Sequence, residues 1–198
     1  MARWITGACV CGLVVTLGAC SGASSSPEPA SSASSTPVQK TDPVERGKYL
    51  VTITGCNDCH TPWKMGPNGP EPDMTRMLSG HPESEKVAKG PKLVAPWMGS
   101  LSGTFTAWSG PWGISYTANL TPDQNTGLGI WTEDMFVRAI REGKHMGTSR
   151  PILPPMPWQA YRSMTDDDLK AVYAYLRTIP PISNHVPDPI LAPPPAGK

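Results

Sequence analysis

Cys56-Asn57-Asp58-Cys59-His60 is the stretch on which the reading of this 198-residue chain turns. A C-x-x-C-H run has the pattern of a covalent c-type haem attachment site. Two cysteines three positions apart lie on adjacent faces of one turn, so each thiol can add to one of the two haem vinyl groups. The histidine that follows is carried beneath the porphyrin, where its imidazole ligates the iron. Other uses of these residues fit less well. A thioredoxin-like dithiol follows a strand and opens a helix within a βαβ pattern, and no such pattern flanks the motif. A structural zinc site needs four Cys or His ligands at paired spacings. The remaining cysteines, Cys9, Cys11 and Cys20, all fall in the first twenty residues. A disulfide between Cys56 and Cys59 would leave His60 without a role.

Upstream of the motif, Asp42-Pro43 opens a short helix, with Asp42 suited to the N-cap and Pro43 to the first helical position. Val44, Leu50, Val51 and Ile53 supply its apolar positions, and it ends near Gly55. Gly47 inside it costs about 1 kcal/mol relative to Ala. Close approach of another helix would explain that cost, and so would a plain interruption. Before this helix, residues 20–41 form a Ser/Ala/Pro-rich stretch without the apolar side chains that offset ordering entropy. It reads as a tether, spanning roughly 25 Å end to end. Residues 1–19 read as a secretory signal, with Arg3 as its positive head and a mostly apolar run from Ile5 to Ala19. That run is too short for a spanning helix, which needs roughly 20 residues. Leu17-Gly18-Ala19-Cys20 resembles a bacterial lipobox, in which Cys20 is the lipid attachment point. In an ordinary signal peptide Cys20 would be an odd free thiol.

Downstream, residues 61–111 are dense in Pro and Gly, and no long helix can run through them. Leu101–Trp108 has the β-branched and aromatic content of a strand within a small hairpin. His81, beside Pro82 and Glu83, reads as a surface histidine in a polar loop. Asn119-Leu120-Thr121-Pro122-Asp123 reads as a turn. Thr132 caps an amphipathic helix with Phe136, Val137 and Ile140 on its apolar side, ended by Gly143. A rigid loop, Arg150 to Trp158, follows. Thr165 caps the last helix, whose buried face is Leu169, Val172, Tyr173 and Leu176, and Pro180-Pro181 stops it. The Pro-rich tail, 188–198, is expected to be poorly ordered.

Charge narrows the partners. The formal net charge is +1, and removal of Arg3 with the leader leaves sixteen basic against sixteen acidic side chains. No single-sign field is present to attract nucleic acid or an anionic surface.

A haem iron that shuttles electrons needs a sixth ligand. Met135 and Met164 lie in or beside helices and read as core filler. Met156 stands apart because Pro155 and Pro157 fix the backbone on both sides and hold the thioether in one place. Met146 and His145 are the alternatives.

The order of elements resembles a class I cytochrome c: short helix, C-x-x-C-H, variable loops, middle helix, Met-bearing loop, and a C-terminal helix ending in Tyr173-Ala174-Tyr175-Leu176-Arg177. Arg46-Gly47-Lys48-Tyr49-Leu50-Val51, Asn119-Leu120-Thr121-Pro122-Asp123, Thr126-Gly127-Leu128-Gly129 and Leu153-Pro154-Pro155-Met156-Pro157-Trp158 narrow the likeness. They resemble motifs of one haem domain in the cytochrome c subunits of bacterial membrane-associated alcohol and aldehyde dehydrogenases. The likeness runs from about residue 42 to 187. Those subunits carry three haem sites, and this chain has one C-x-x-C-H.

The resemblance implies an all-α, cytochrome c-like fold for residues 42–187, with the N-terminal helix crossing the C-terminal helix at Gly47. A middle helix and a long loop-rich insertion with room for a small hairpin complete it. It also implies one haem c, attached through Cys56 and Cys59 and ligated by His60 and Met156, with Trp158 and Tyr161 near the haem or packed in the core. The function expected is one-electron transfer between a redox-protein donor and acceptor, such as a dehydrogenase or terminal oxidase, at the outer face of a bacterial membrane. A docked dehydrogenase or oxidase subunit is the alternative, and a haem enzyme or gas sensor with an open sixth position is the third.

Overall fold

In a computed structural model the described residues are 42–87 and 89–193. The expected leader, Cys20 and the tether lie outside them, as do the last five residues of the tail. No helix among the described residues is long and apolar enough to cross a membrane.

Helix α1 (Pro43–Ile53) begins where Asp42 accepts a hydrogen bond from the Val44 amide, 2.9 Å, and Pro43 supplies the first helical turn. It buries Gly47, Leu50 and Val51, whereas Ile53 points outward and is 57% exposed. A short α2 (Cys56–His60) carries the motif. Helix α3 (Glu133–Glu142) runs between a Thr132 cap and a left-handed Gly143, and α5 (Asp166–Leu176) starts on Thr165. Between them lies the one-turn α4 (Trp158–Tyr161). The core gathers Leu50, Val51, Phe136, Ile140, Leu169 and Leu176 from α1, α3 and α5. Gly47 is the crossing point of α1 on α5: a Cβ there would stand 1.9 Å from the Ala171 carbonyl oxygen. Arg46 Nε fixes the same crossing through Asp168, at 2.8 Å.

An all-α fold is not what forms. Among the described residues are six strands in two sheets. Strands β1 (Trp63–Gly66) and β2 (Gly69–Pro72) make an antiparallel hairpin with Gly66 opposite Gly69. Strands β3 (Ser100–Leu101), β4 (Ala107–Gly110), β5 (Gly113–Tyr116) and β6 (Ile190–Leu191) pair antiparallel in that order. Glycines and prolines forbid long helices through 61–111 but leave room for a short helical turn, Met74–Arg76, and for strands of two to four residues between them. The expected hairpin strand over Leu101–Trp108 is divided instead between β3 and β4, with Phe105 at positive φ in the turn that separates them. The tail also differs from expectation, since Ile190 and Leu191 pair with Ile114 and Gly113.

His81 is a second correction. It is fully buried, not a surface residue, and its ring packs against Tyr116 with centroids 4.8 Å apart. The Leu78–His81 segment is laid across Thr117–Leu120 by two main-chain hydrogen bonds: His81 N to Thr117 O, 2.9 Å, and Leu120 N to Leu78 O, 2.8 Å. Gly80 makes this approach possible. Its φ is +77°, and a Cβ would lie 2.5 Å from the Thr117 oxygen.

Candidate haem site

Gly55 turns the chain from α1 into α2 with φ +68°, a left-handed conformation that glycine adopts without penalty. One turn of helix then presents Cys56, Cys59 and His60. The turn is fastened at its far end by Thr61, which is wholly buried. The Thr61 hydroxyl donates to Asn57 Oδ1 at 2.8 Å and accepts from the Leu78 amide at 2.9 Å. Trp63 Nε1 donates to the Asp58 carbonyl at 3.1 Å. Cys56 and Cys59 are not disulfide-bonded. Burial pushes both thiols above their ordinary range, and Thr54 Oγ1 lies 3.4 Å from Cys56 Sγ.

His60 is oriented from behind. Its Nδ1 donates to the main-chain oxygen of Ala118 at 2.8 Å. A carbonyl only accepts, so the proton sits on Nδ1 and the lone pair of Nε2 is free to bind a metal. Burial pushes the imidazole below its ordinary value, against the opposing effect of this hydrogen bond, and keeps it neutral. Ala118 is held in turn by its neighbours. Buried Asn119 accepts from Thr121 N at 3.0 Å and Thr121 Oγ1 at 2.7 Å, and donates to the Ile182 carbonyl at 2.8 Å.

Cys56, Cys59 and His60 line a cavity of about 660 Å³, a volume within the usual range of cofactor sites, about 300–1,000 Å³. Its walls are chiefly apolar, with Leu120, Leu128, Phe136, Ile140 and Leu153 among them. Met156 lines it too, half-buried on its proline-braced loop, and Ser115 on β5 ties that loop down by donating to the Pro154 carbonyl at 2.6 Å. Met146 and His145 also reach the wall, as does Met164, which the sequence marked as core filler. Tyr161 lines the cavity and donates its hydroxyl to the Thr54 carbonyl at 2.7 Å. Trp158 is not among the lining residues; it packs on Gly143, where a Cβ would stand 2.3 Å from its ring. Arg150 is the single Lys or Arg on the wall among the described residues.

The residues present fit a haem. The site offers paired unbridged thiols, a neutral imidazole with its proton on the outer nitrogen, soft thioethers, and a cavity whose one arginine suits the carboxylate edge of the porphyrin. Sequence reasoning missed Ala118, since a main-chain carbonyl has no side-chain signature, and it missed Trp131, whose ring meets His145 edge-on at 5.1 Å.

A C-x-x-C-H helix beside crossed terminal helices, with a methionine loop closing the same cavity, is the arrangement of a class I c-type cytochrome. No protein-family model matches the chain, but individual relatives do. A nicotinate dehydrogenase subunit of Pseudomonas putida is 38% identical over 144 residues, which is 73% of this chain and 9% of that protein. The fructose dehydrogenase cytochrome subunit of Gluconobacter japonicus is 30% identical over 135 residues, 68% of this chain and 21% of the relative. The gluconate 2-dehydrogenase cytochrome c subunit of Pantoea cypripedii is 30% identical over 132 residues, 67% of this chain and 22% of the relative. The chain is thus a c-type cytochrome related to the cytochrome subunits of bacterial dehydrogenases. It spans less than a quarter of the length of these three relatives.

Proposed function

We propose that the chain carries one haem c and works as a one-electron carrier between redox proteins, not as an enzyme. The observation that carries this reading is the shared cavity, which the motif helix and the Met156 loop both line. When bound, the haem supplies an iron that cycles between ferric and ferrous forms. Cys56 and Cys59 would hold it by thioether links, and His60 would ligate it through Nε2. Met156 would supply a thioether to the iron, and its soft sulfur would favour the ferrous form and raise the potential. Apolar lining residues such as Leu128 and Phe136 would keep water from the metal, which would tune the potential in the same sense. Arg150, which lies 3.7 Å from Asp188 in the same lining, would be the cation available to the haem carboxylates. Transfer of an electron asks no side chain for acid–base work.

A dehydrogenase is the proposed donor, since the relatives' names place them as dehydrogenase subunits; a terminal oxidase would suit the accepting side. The leader and Cys20 make the chain a lipoprotein of the bacterial envelope, tethered by residues 20–41 and facing the periplasm or the exterior. Residues 42–187 are the haem domain.

Mass spectrometry of the purified, denatured protein tests the cofactor. The account expects the polypeptide plus one haem, and loss of that mass in Cys56→Ser/Cys59→Ser. A wild-type chain of bare polypeptide mass, after maturation in a host that makes c-type cytochromes, would sink it. For the anchor, Cys20→Ser should release haem-loaded protein from membranes; a variant that still pellets after a salt wash refutes the lipid.

A further inference from the structure

Two threonines connect the buried His81 to a carboxylate. The His81 Nε2 faces the main-chain oxygen of Glu85 at 3.0 Å, and Nδ1 faces Thr106 Oγ1 at 2.9 Å. Thr106 Oγ1 lies 2.7 Å from Thr104 Oγ1, which lies 2.6 Å from Glu85 Oε2. Protons can be counted along this line. The Glu85 carbonyl only accepts, so Nε2 carries a hydrogen. The three remaining links are His81 to Thr106, Thr106 to Thr104, and Thr104 to Glu85, and each needs one proton. The two hydroxyls supply two. Ser102 Oγ, 3.0 Å from Thr104, fills none of the three links.

The third proton has two sources. Either His81 is doubly protonated opposite an ionised Glu85, or Glu85 is protonated opposite a neutral His81. One proton moved a step along each link converts one state into the other. A neutral histidine with an ionised glutamate, the ordinary pairing at pH 7, is a proton short and leaves two acceptors facing each other at hydrogen-bond distance. We propose that His81, Thr106, Thr104 and Glu85 form a unit that holds one extra proton at neutral pH and so keeps the wall behind the haem cavity uncharged.

The unit backs directly onto that wall. Tyr116, packed on the His81 ring, lines the cavity, and its hydroxyl donates to the Val87 carbonyl at 2.6 Å. The His81 amide holds Thr117, next to the Ala118 carbonyl that orients His60. Burial, together with Lys86, pushes the His81 imidazole below its ordinary value, and Glu85 acts against them; the link left unfilled in the hydroxyl line is what argues for a proton held against that burial. Loss of the proton at alkaline pH leaves a negative charge behind the cavity and lowers the potential of the metal. This last consequence rests on the haem reading; the proton count does not.

Nitrogen and carbon NMR of labelled, reduced holoprotein at pH 8 reads the proton directly. The expected result is either two protonated nitrogens on His81 or a protonated Glu85 carboxyl. Glu85→Gln provides the control that folds, because its amide can donate to Thr104, Thr104 to Thr106, and Thr106 to Nδ1. Every link is then filled around a neutral His81, so the variant should show an unprotonated Nδ1 at pH 8. Its potential should match wild type at neutral pH and lack the alkaline fall that wild type shows over the range where NMR sees the proton leave. An unprotonated Nδ1 beside an ionised Glu85 in the wild type at pH 8 would overturn the unit. A potential with the same alkaline profile in both proteins would overturn its coupling to the metal.

Discussion

His60 Nδ1 and the Ala118 main-chain oxygen meet at 2.8 Å, and this contact sets which nitrogen of the imidazole faces the cavity. It joins residues 58 positions apart, so its strength depends on how firmly the Thr117–Thr121 segment is held. Gly80 sits under that segment, and its own amide donates to the His60 carbonyl at 2.8 Å.

Gly80→Ala tests this support. A Cβ there meets the Thr117 oxygen at 2.5 Å, on a residue with φ +77°. The left-handed conformation alone costs a non-glycine residue about 1–2 kcal/mol, and the clash adds to it. Urea unfolding of the holoprotein should give a stability loss of at least that size, with a shifted potential as the Ala118 carbonyl moves. A variant with wild-type stability and potential would show that Gly80 is dispensable.

Acid should weaken the helix crossing. Arg46, hydrogen-bonded to Asp168, holds the Asp168 carboxyl below its ordinary range. A carboxyl lowered in the folded state stabilises fully above its unfolded value, about 4, and loses that contribution as the pH falls through the folded value. Wild type should therefore exceed Asp168→Asn in stability at neutral pH, by a modest margin because Arg46 is 42% exposed and solvent screens the pair. The margin should close below about pH 4. Thermal melts across that range check it; a margin that holds or widens on acidification contradicts the assignment.

Much of the helical frame was legible because its signals are local. Asp42-Pro43, Thr132, Thr165 and Gly143 cap the elements they were expected to cap. Gly47, a misfit within its own helix, marks a contact 124 residues away and could be placed only through the resemblance. Beyond the β3–β4 hairpin, the strands were not legible for a related reason. Gly69-Pro70-Glu71-Pro72 has no alternating apolar pattern, and its pairing with Trp63–Gly66 comes from the turn between them. His81 was misread because its neighbours are polar, whereas its burial comes from Thr106 and Tyr116, which lie 25 and 35 residues further on. Within the site, the C-x-x-C-H turn was plain in the sequence, but Met156, Met146 and His145 all reach the cavity, and sequence order cannot rank them.

Substitution can rank them. Met156→Ala should leave the haem attached, since the cysteines hold it, while abolishing the sulfur-to-iron charge-transfer band of the oxidised protein and lowering its potential. Truncating a buried methionine costs about 2–5 kcal/mol, and the half-buried Met156 belongs at the lower end. Met146→Ala should keep the band. If the band instead survives in Met156→Ala and vanishes in Met146→Ala, the sixth ligand is Met146; if it survives in both, neither methionine is the sixth ligand.

The most direct test of the central claim is a reductive titration of the purified holoprotein, followed by carbon monoxide added to the ferrous form at neutral pH. A carrier with both axial positions filled by the protein should titrate as a single reversible one-electron wave, and its ferrous spectrum should barely change with the gas. Ready carbon monoxide binding, or a wave that is not reversible, would contradict the account and point to an open iron that binds or transforms small molecules.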